Sequence, residues 1–155
     1  MPRDDDAQIS RVITEYTRAV DRRDAEGQAE HFLADATVEY LINNGASVQI
    51  FEAASVGREQ IAERVRTLAA NAAQRATSWN HHVTSNYLID VTGDTARLEA
   101  RYIAYRVVPN LTAEGVSISG GELFPYSIGF YRADLERTGE GWKFARLQMV
   151  ADLHP

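Results

Sequence analysis

The chain changes its hydrophobic period partway along, and that change restricts it to folds in which a few helices cover an extended sheet. Ile9, Val12, Ile13, Tyr16, Ala19 and Val20 recur at helical spacing and form one apolar stripe. Asp4 to Asp6 precede it, offering N-caps and negative charge at a helix start. Asp21-Arg22-Arg23-Asp24 then reads as a corner, with Asp24 capping a short second helix over roughly 25–33. Residues 36–42 have strand composition, and Asn43-Asn44-Gly45 signals a hairpin before a strand over 48–53. Gly57 opens a third helix, with Ile61, Val65, Leu68, Ala69 and Ala72 as its buried stripe. Strands follow over 79–91, 96–108, 122–136 and 142–153, the third bent near Pro125 or Gly129. Turns at 92–94 and 138–141 and a loop over 109–121 join them. Helices first and a long meander afterwards predict an α+β fold, helices packed on one face of a curved, mostly antiparallel sheet. With no internal repeat or linker, residues 1–155 read as a single domain.

Composition excludes several function classes. The net charge of −6, with basic residues scattered, argues against nucleic acid or anionic lipid as a partner. The absence of cysteine removes disulfides, thiolate catalysis and zinc–thiolate or iron–sulfur sites. No His-x-x-x-His or clustered carboxylate spacing suggests a metal, and neither a Gly-x-Gly-x-x-Gly nor a P-loop pattern suggests a nucleotide. No cofactor is therefore expected. An acidic start without an apolar signal core, and no stretch long enough to span a bilayer, lead to the expectation of a soluble cytoplasmic protein.

Four separated positions carry the chemistry. Asp21 closes the first helix about one turn after Tyr16, near the buried stripe; the plain alternative is a helix-end or surface-paired carboxylate. Adjacent strand residues face opposite ways, so only one of His81 and His82 can line a pocket. Alternation groups His81 with Val83, Tyr87, Ile89 and Val91, and His82 with Thr84, Asn86, Leu88 and Asp90. Raw hydrophobicity would thus turn His81 inward. Arg146 alternates in phase with Trp142 and Phe144, which suits a cation facing a pocket, a guanidinium stacked on Trp142, or a structural ion pair. Tyr16 lies on the apolar stripe, either as a core tyrosine or as a hydrogen-bond donor to a pocket.

The element order, together with Tyr16…Val20-Asp21-Arg22-Arg23-Asp24…Gly27…Phe32, His82-Val83-Thr84-Ser85-Asn86, Gly93-Asp94 and Tyr131…Gly141-Trp142-Lys143-Phe144-Ala145-Arg146-Leu147, resembles the SnoaL-like branch of the nuclear transport factor two superfamily. The resemblance covers nearly the whole chain. It implies a cone: a strongly bent sheet wrapping a pocket that the helices close. It also implies likeness to lyases of the scytalone dehydratase, hexachlorocyclohexane dehydrochlorinase and bile-acid dehydratase types. On that likeness Asp21 and His82 are the paired aspartate and catalytic histidine, and His82 is preferred to His81. Arg146 matches an arginine on the last strand, and Tyr16 takes a position where those lyases vary between lysine and tyrosine. The implied function is elimination from a small, largely apolar cyclic or aromatic substrate, begun by Asp–His proton abstraction. Isomerisation or polyketide-type cyclisation through an enolate, and ligand binding without catalysis, remain open because the scaffold serves all of them. The family also implies self-association, as a dimer or a trimer.

Overall fold

The computed structural model describes residues 4–73 and 78–153. Helix α1 (Asp5–Arg22) is followed by α2 (Ala25–Ala29), β1 (Phe32–Asn43), β2 (Val48–Val56) and α3 (Arg58–Ala73). Strands β3 (Trp79–Thr92), β4 (Thr95–Leu111), β5 (Ser117–Thr138) and β6 (Gly141–Leu153) complete the chain. The strands form one sheet in the order β2-β1-β6-β5-β4-β3. Every pairing is antiparallel except that of β1 with β6. The helices lie against one face of this strongly curled sheet, giving the expected α+β cone.

The apolar stripe of α1 does what its spacing requires. Ile9 and Ile13 are fully buried and pack with Phe32, Phe144 and Leu147. Such burial stabilises by roughly 1.5–3 kcal/mol for each large aliphatic side chain. The helix stops at Arg23, whose backbone turns left-handed (φ 56°) while Asp24 N–H bonds back to Ala19 C=O at 2.9 Å. Asp24 then caps α2, accepting the Gly27 N–H at 2.9 Å. This sharp corner fixes Asp21 in the last turn of α1, on the side that faces the sheet.

The structure departs from the sequence reading in three places. Helix α2 ends at Ala29, because Phe32 is drawn into the core as the first residue of β1 and the His31 carbonyl accepts the Phe144 N–H at 2.8 Å. The expected loop over 109–121 is mostly strand: β4 runs to Leu111 and β5 begins at Ser117, with Pro109 opposite Gly121. Gly121, at φ 147°, absorbs that irregularity, since a Cβ there would meet the backbone of Val108 at 2.5 Å. Leu68 is half-exposed rather than core, and the Ala72 side chain lies outside the described residues. The bend in β5 coincides with pairing irregularities at both Pro125 and Gly129, where a side chain on Gly129 would collide with the Val150 carbonyl.

Two β-bulges matter more for the site. Between Ser85 and Leu88, β3 carries one residue more than its partner β4, and Asn86 takes a left-handed conformation (φ 53°). Between Phe144 and Arg146, β6 carries one residue more than β5, so Ala145 is the extra residue. Each bulge flips the facing of every side chain beyond it.

Candidate active site

The last turn of α1 brings Asp21 to the wall of a cavity of about 600 Å³, lined by α1, α3 and the inner face of the sheet. His82, on β3 opposite Ala104, meets it there. The two side chains are 17% and 11% exposed, enough to touch a ligand and little enough to keep their contact dry. His82 Nδ1 lies 2.6 Å from Asp21 Oδ1, and the His82 backbone N–H donates to both carboxylate oxygens at 3.0 and 3.2 Å. A carboxylate only accepts, so in the neutral ring the proton sits on Nδ1. Nε2 is left with its lone pair. One aspartate thus sets both the position and the tautomer of the imidazole.

His81 faces the other side of the sheet, beside Trp79, Val83 and Tyr105. The apolar residues that share its parity in the sequence do not share its face. The bulge at Ser85–Asn86 exchanges the two sets, so His82 and Thr84 continue inward as Tyr87, Ile89 and Val91. His31 is half-buried ahead of β1, where burial lowers its imidazole pKa. His154 lies outside the described residues.

Three buried phenols are among the side chains lining the same cavity. Tyr16 packs edge-on against Phe32, Tyr131 and Phe144, and its hydroxyl donates to the Met149 thioether at 3.5 Å. Tyr131 stacks on Tyr102 with ring centres 4.8 Å apart, and Tyr40 bonds Ser55 at 3.3 Å. Burial is the main cause pushing all three phenol pKa values above their ordinary value of 10.0, with mutual repulsion among the tyrosines adding to it for Tyr16 and Tyr131. They therefore remain protonated and can donate hydrogen bonds to a charge that develops in the cavity.

Arg146 is not among the cavity residues. The bulge at Ala145 takes it out of phase with Trp142 and Phe144 and turns it to the opposite face. There its Nε donates to Glu39 at 2.7 Å, beside Glu99, Arg132 and Asp134. Leu147 and Met149 hold the inward positions instead. The expected pocket role fails for this geometric reason.

The cations that do line the cavity come from other elements: Arg23, Arg64 and Arg106. Arg64, on α3, is paired with Glu52 and lies over the Tyr40 ring at 3.8 Å. Arg23 donates to the Ser78 carbonyl at 2.9 Å. Arg106 lies over the Tyr126 ring at 3.8 Å, and its buried Nε has no hydrogen-bond partner. Sequence reasoning missed Arg106, although a signal existed: it alternates in phase with Tyr102 and Ala104, both buried. Among the described residues no group of three or more His, Asp or Glu side chains could hold a metal ion. No described helix is long and apolar enough to cross a membrane.

The SnoaL-like domain model matches residues 2–148. No curated protein matches the chain. Among solved structures, the beta subunit of a protein provisionally described as an aromatic-ring-hydroxylating dioxygenase, from Novosphingobium aromaticivorans, is 18% identical with a TM-score of 0.72, over 96% of this chain and 90% of that one. An NTF2-like protein with a cystatin-like fold from the same organism is 22% identical with a TM-score of 0.70, over 96% and 82%. An NTF2-like family protein of Streptomyces avermitilis, provisionally described as a dehydratase, is 18% identical with a TM-score of 0.71, over 98% and 99%. At these identities the likeness is one of fold, and the differing descriptions underline that the fold alone selects no chemistry.

Proposed function

We propose that this chain, which belongs to the SnoaL-like domain family, is a lyase of the dehydratase type that works by proton abstraction from a small, largely apolar cyclic or aromatic substrate. The observation that carries the proposal is the 2.6 Å contact between Asp21 and His82 Nδ1 at the wall of the cavity. It leaves Nε2 as a base whose orientation is paid for in advance by the fold. A positioned base of this kind contributes about a hundred- to ten-thousand-fold.

In the reaction, Nε2 of His82 takes a proton from carbon next to an activating carbonyl, and Asp21 stabilises the imidazolium that forms. The electron pair of the broken C–H bond moves onto the carbonyl as an enolate. Tyr16 and Tyr131 donate hydrogen bonds to that developing charge. Their raised pKa values make them poor proton donors, so they act as dipoles and not as acids. The enolate then expels hydroxide from the neighbouring carbon, forming the C=C bond. The imidazolium returns its proton to the departing hydroxide, which leaves as water. The predominantly apolar cavity wall, including Val20, Val38, Ile61, Val65 and Met149, suits a carbon ring.

The test is turnover of cyclic hydroxy-ketones and hydroxy-acids followed by mass spectrometry. The proposal expects a product lighter by one water, and its loss in both His82→Ala and Asp21→Asn. A product of unchanged mass would assign the same dyad to an isomerase. Turnover that survives both substitutions would refute the dyad.

A further inference from the structure

We infer that Arg106 is the anchor for an anionic group on the ligand, so that this cavity selects carboxylates or comparable oxyanions over neutral molecules of the same shape. The inference rests on the cavity reading above and specifies which ligands it admits.

Of the three described arginines in the cavity wall, Arg106 alone has neither an acid nor a carbonyl as partner among the described residues. Glu52 neutralises Arg64, and the Ser78 carbonyl engages Arg23. The Arg106 guanidinium carbon lies 3.8 Å from the centre of the Tyr126 ring, a cation–π placement that restrains its position. Its Nε is buried and unpartnered, a costly state for a charged donor unless something arrives to satisfy it. Among the described residues the only carboxylate lining the cavity is Asp21, which is occupied by His82. Because the Nε itself is buried, a ligand oxyanion in the cavity would be held by the terminal N–H groups of the guanidinium.

Position on the sheet gives the spacing. His82 pairs with Ala104 across the β3–β4 ladder, and Arg106 lies two residues farther along β4 on the same inward face, opposite Asn80. Two residues of strand correspond to about 7 Å. A ligand whose carboxylate sits on Arg106 therefore has its carbon skeleton on the same inward face as His82. Phe124 and Tyr126 flank the anchor and would cover a ring face of the ligand.

The test compares 2-naphthoate with 2-naphthamide, which match in shape and differ in charge, by titration of the protein followed by NMR. The wild type is expected to bind the acid at least tenfold more tightly than the amide. Arg106→Met should abolish that preference while leaving amide affinity unchanged, which also shows an intact cavity; Arg106→Lys should retain part of it. The preference should persist in His82→Ala, so that a failed dyad and a failed anchor give different results. A wild type that does not bind the acid more tightly than the amide, or a preference that survives Arg106→Met, overturns the assignment.

Discussion

The carboxylate of Asp21 grips His82 twice, at the ring Nδ1 (2.6 Å) and at the backbone N–H (3.0 Å). The two contacts have different consequences on substitution. An asparagine can still accept the backbone hydrogen bond but competes poorly for the ring proton. Asp21→Asn should therefore retain the fold, with thermal stability close to wild type, while turnover falls by about a hundredfold or more. Circular dichroism melting alongside a product assay checks both halves.

Tyr16 offers a cleaner separation of structure from chemistry. Its hydroxyl has a thioether at 3.5 Å as its hydrogen-bond partner, while its ring is packed by three aromatics. Tyr16→Phe should then change stability by less than about 1 kcal/mol, because little hydrogen-bond energy is lost. Turnover should still fall, by roughly tenfold, if the hydroxyl supports the enolate. Urea unfolding and steady-state kinetics on the one variant test this.

Arg146 should be dispensable for the chemistry. Its ion pair with Glu39 lies on the face away from the cavity, and its side chain is 47% exposed. Such pairs contribute about 0–1 kcal/mol after solvent screening. Arg146→Ala is expected to bind cavity ligands and turn over substrate as the wild type does. A large loss of turnover at unchanged stability would contradict the placement.

Much of the fold is legible in the sequence, and the two side-chain facings that alternation misassigns at the site share one cause. Periodicity gave the helices, the hairpin at Asn43–Gly45 and the strand-rich second half, because each rests on local spacing that burial enforces. What alternation cannot reveal is an added residue. The extra residue at Ser85–Asn86 inverts the parity that favoured His81, and the one at Ala145 inverts the parity that favoured Arg146. Family likeness points to His82 against its apparent facing, whereas apparent facing points Arg146 to the pocket and the structure turns it away. Asn86 left a trace, since asparagine tolerates left-handed backbone; Ala145 left none.

That bulge can itself be tested. Asn86 is exposed and sits at φ 53°, where a β-branched side chain is strained. Asn86→Val should destabilise the protein by about 1–2 kcal/mol, whereas Asn86→Gly should be neutral within about 0.5 kcal/mol. Chemical denaturation of the pair decides it.

Alkali should unfold this protein early. Tyr16, Tyr40, Tyr102 and Tyr131 all have phenol pKa values raised chiefly by burial. A raised folded-state value means the folded chain holds its proton more tightly than the unfolded chain does. That contribution is whole below the ordinary value of 10.0 and is lost as the pH climbs above it. Stability measured at about pH 8.5 and again at about pH 11 should fall, and ultraviolet titration should show these phenols ionising late. Equal stability at the two values would contradict the burial account.

The most direct test of the central claim is the protonation pattern of His82, read by long-range ¹H–¹⁵N NMR at a pH where the ring is neutral. The account predicts a proton on Nδ1, shifted downfield by the Asp21 hydrogen bond and lost or moved in Asp21→Asn, with an unprotonated Nε2. A neutral His82 carrying its proton on Nε2 could not serve as the base, and would contradict it.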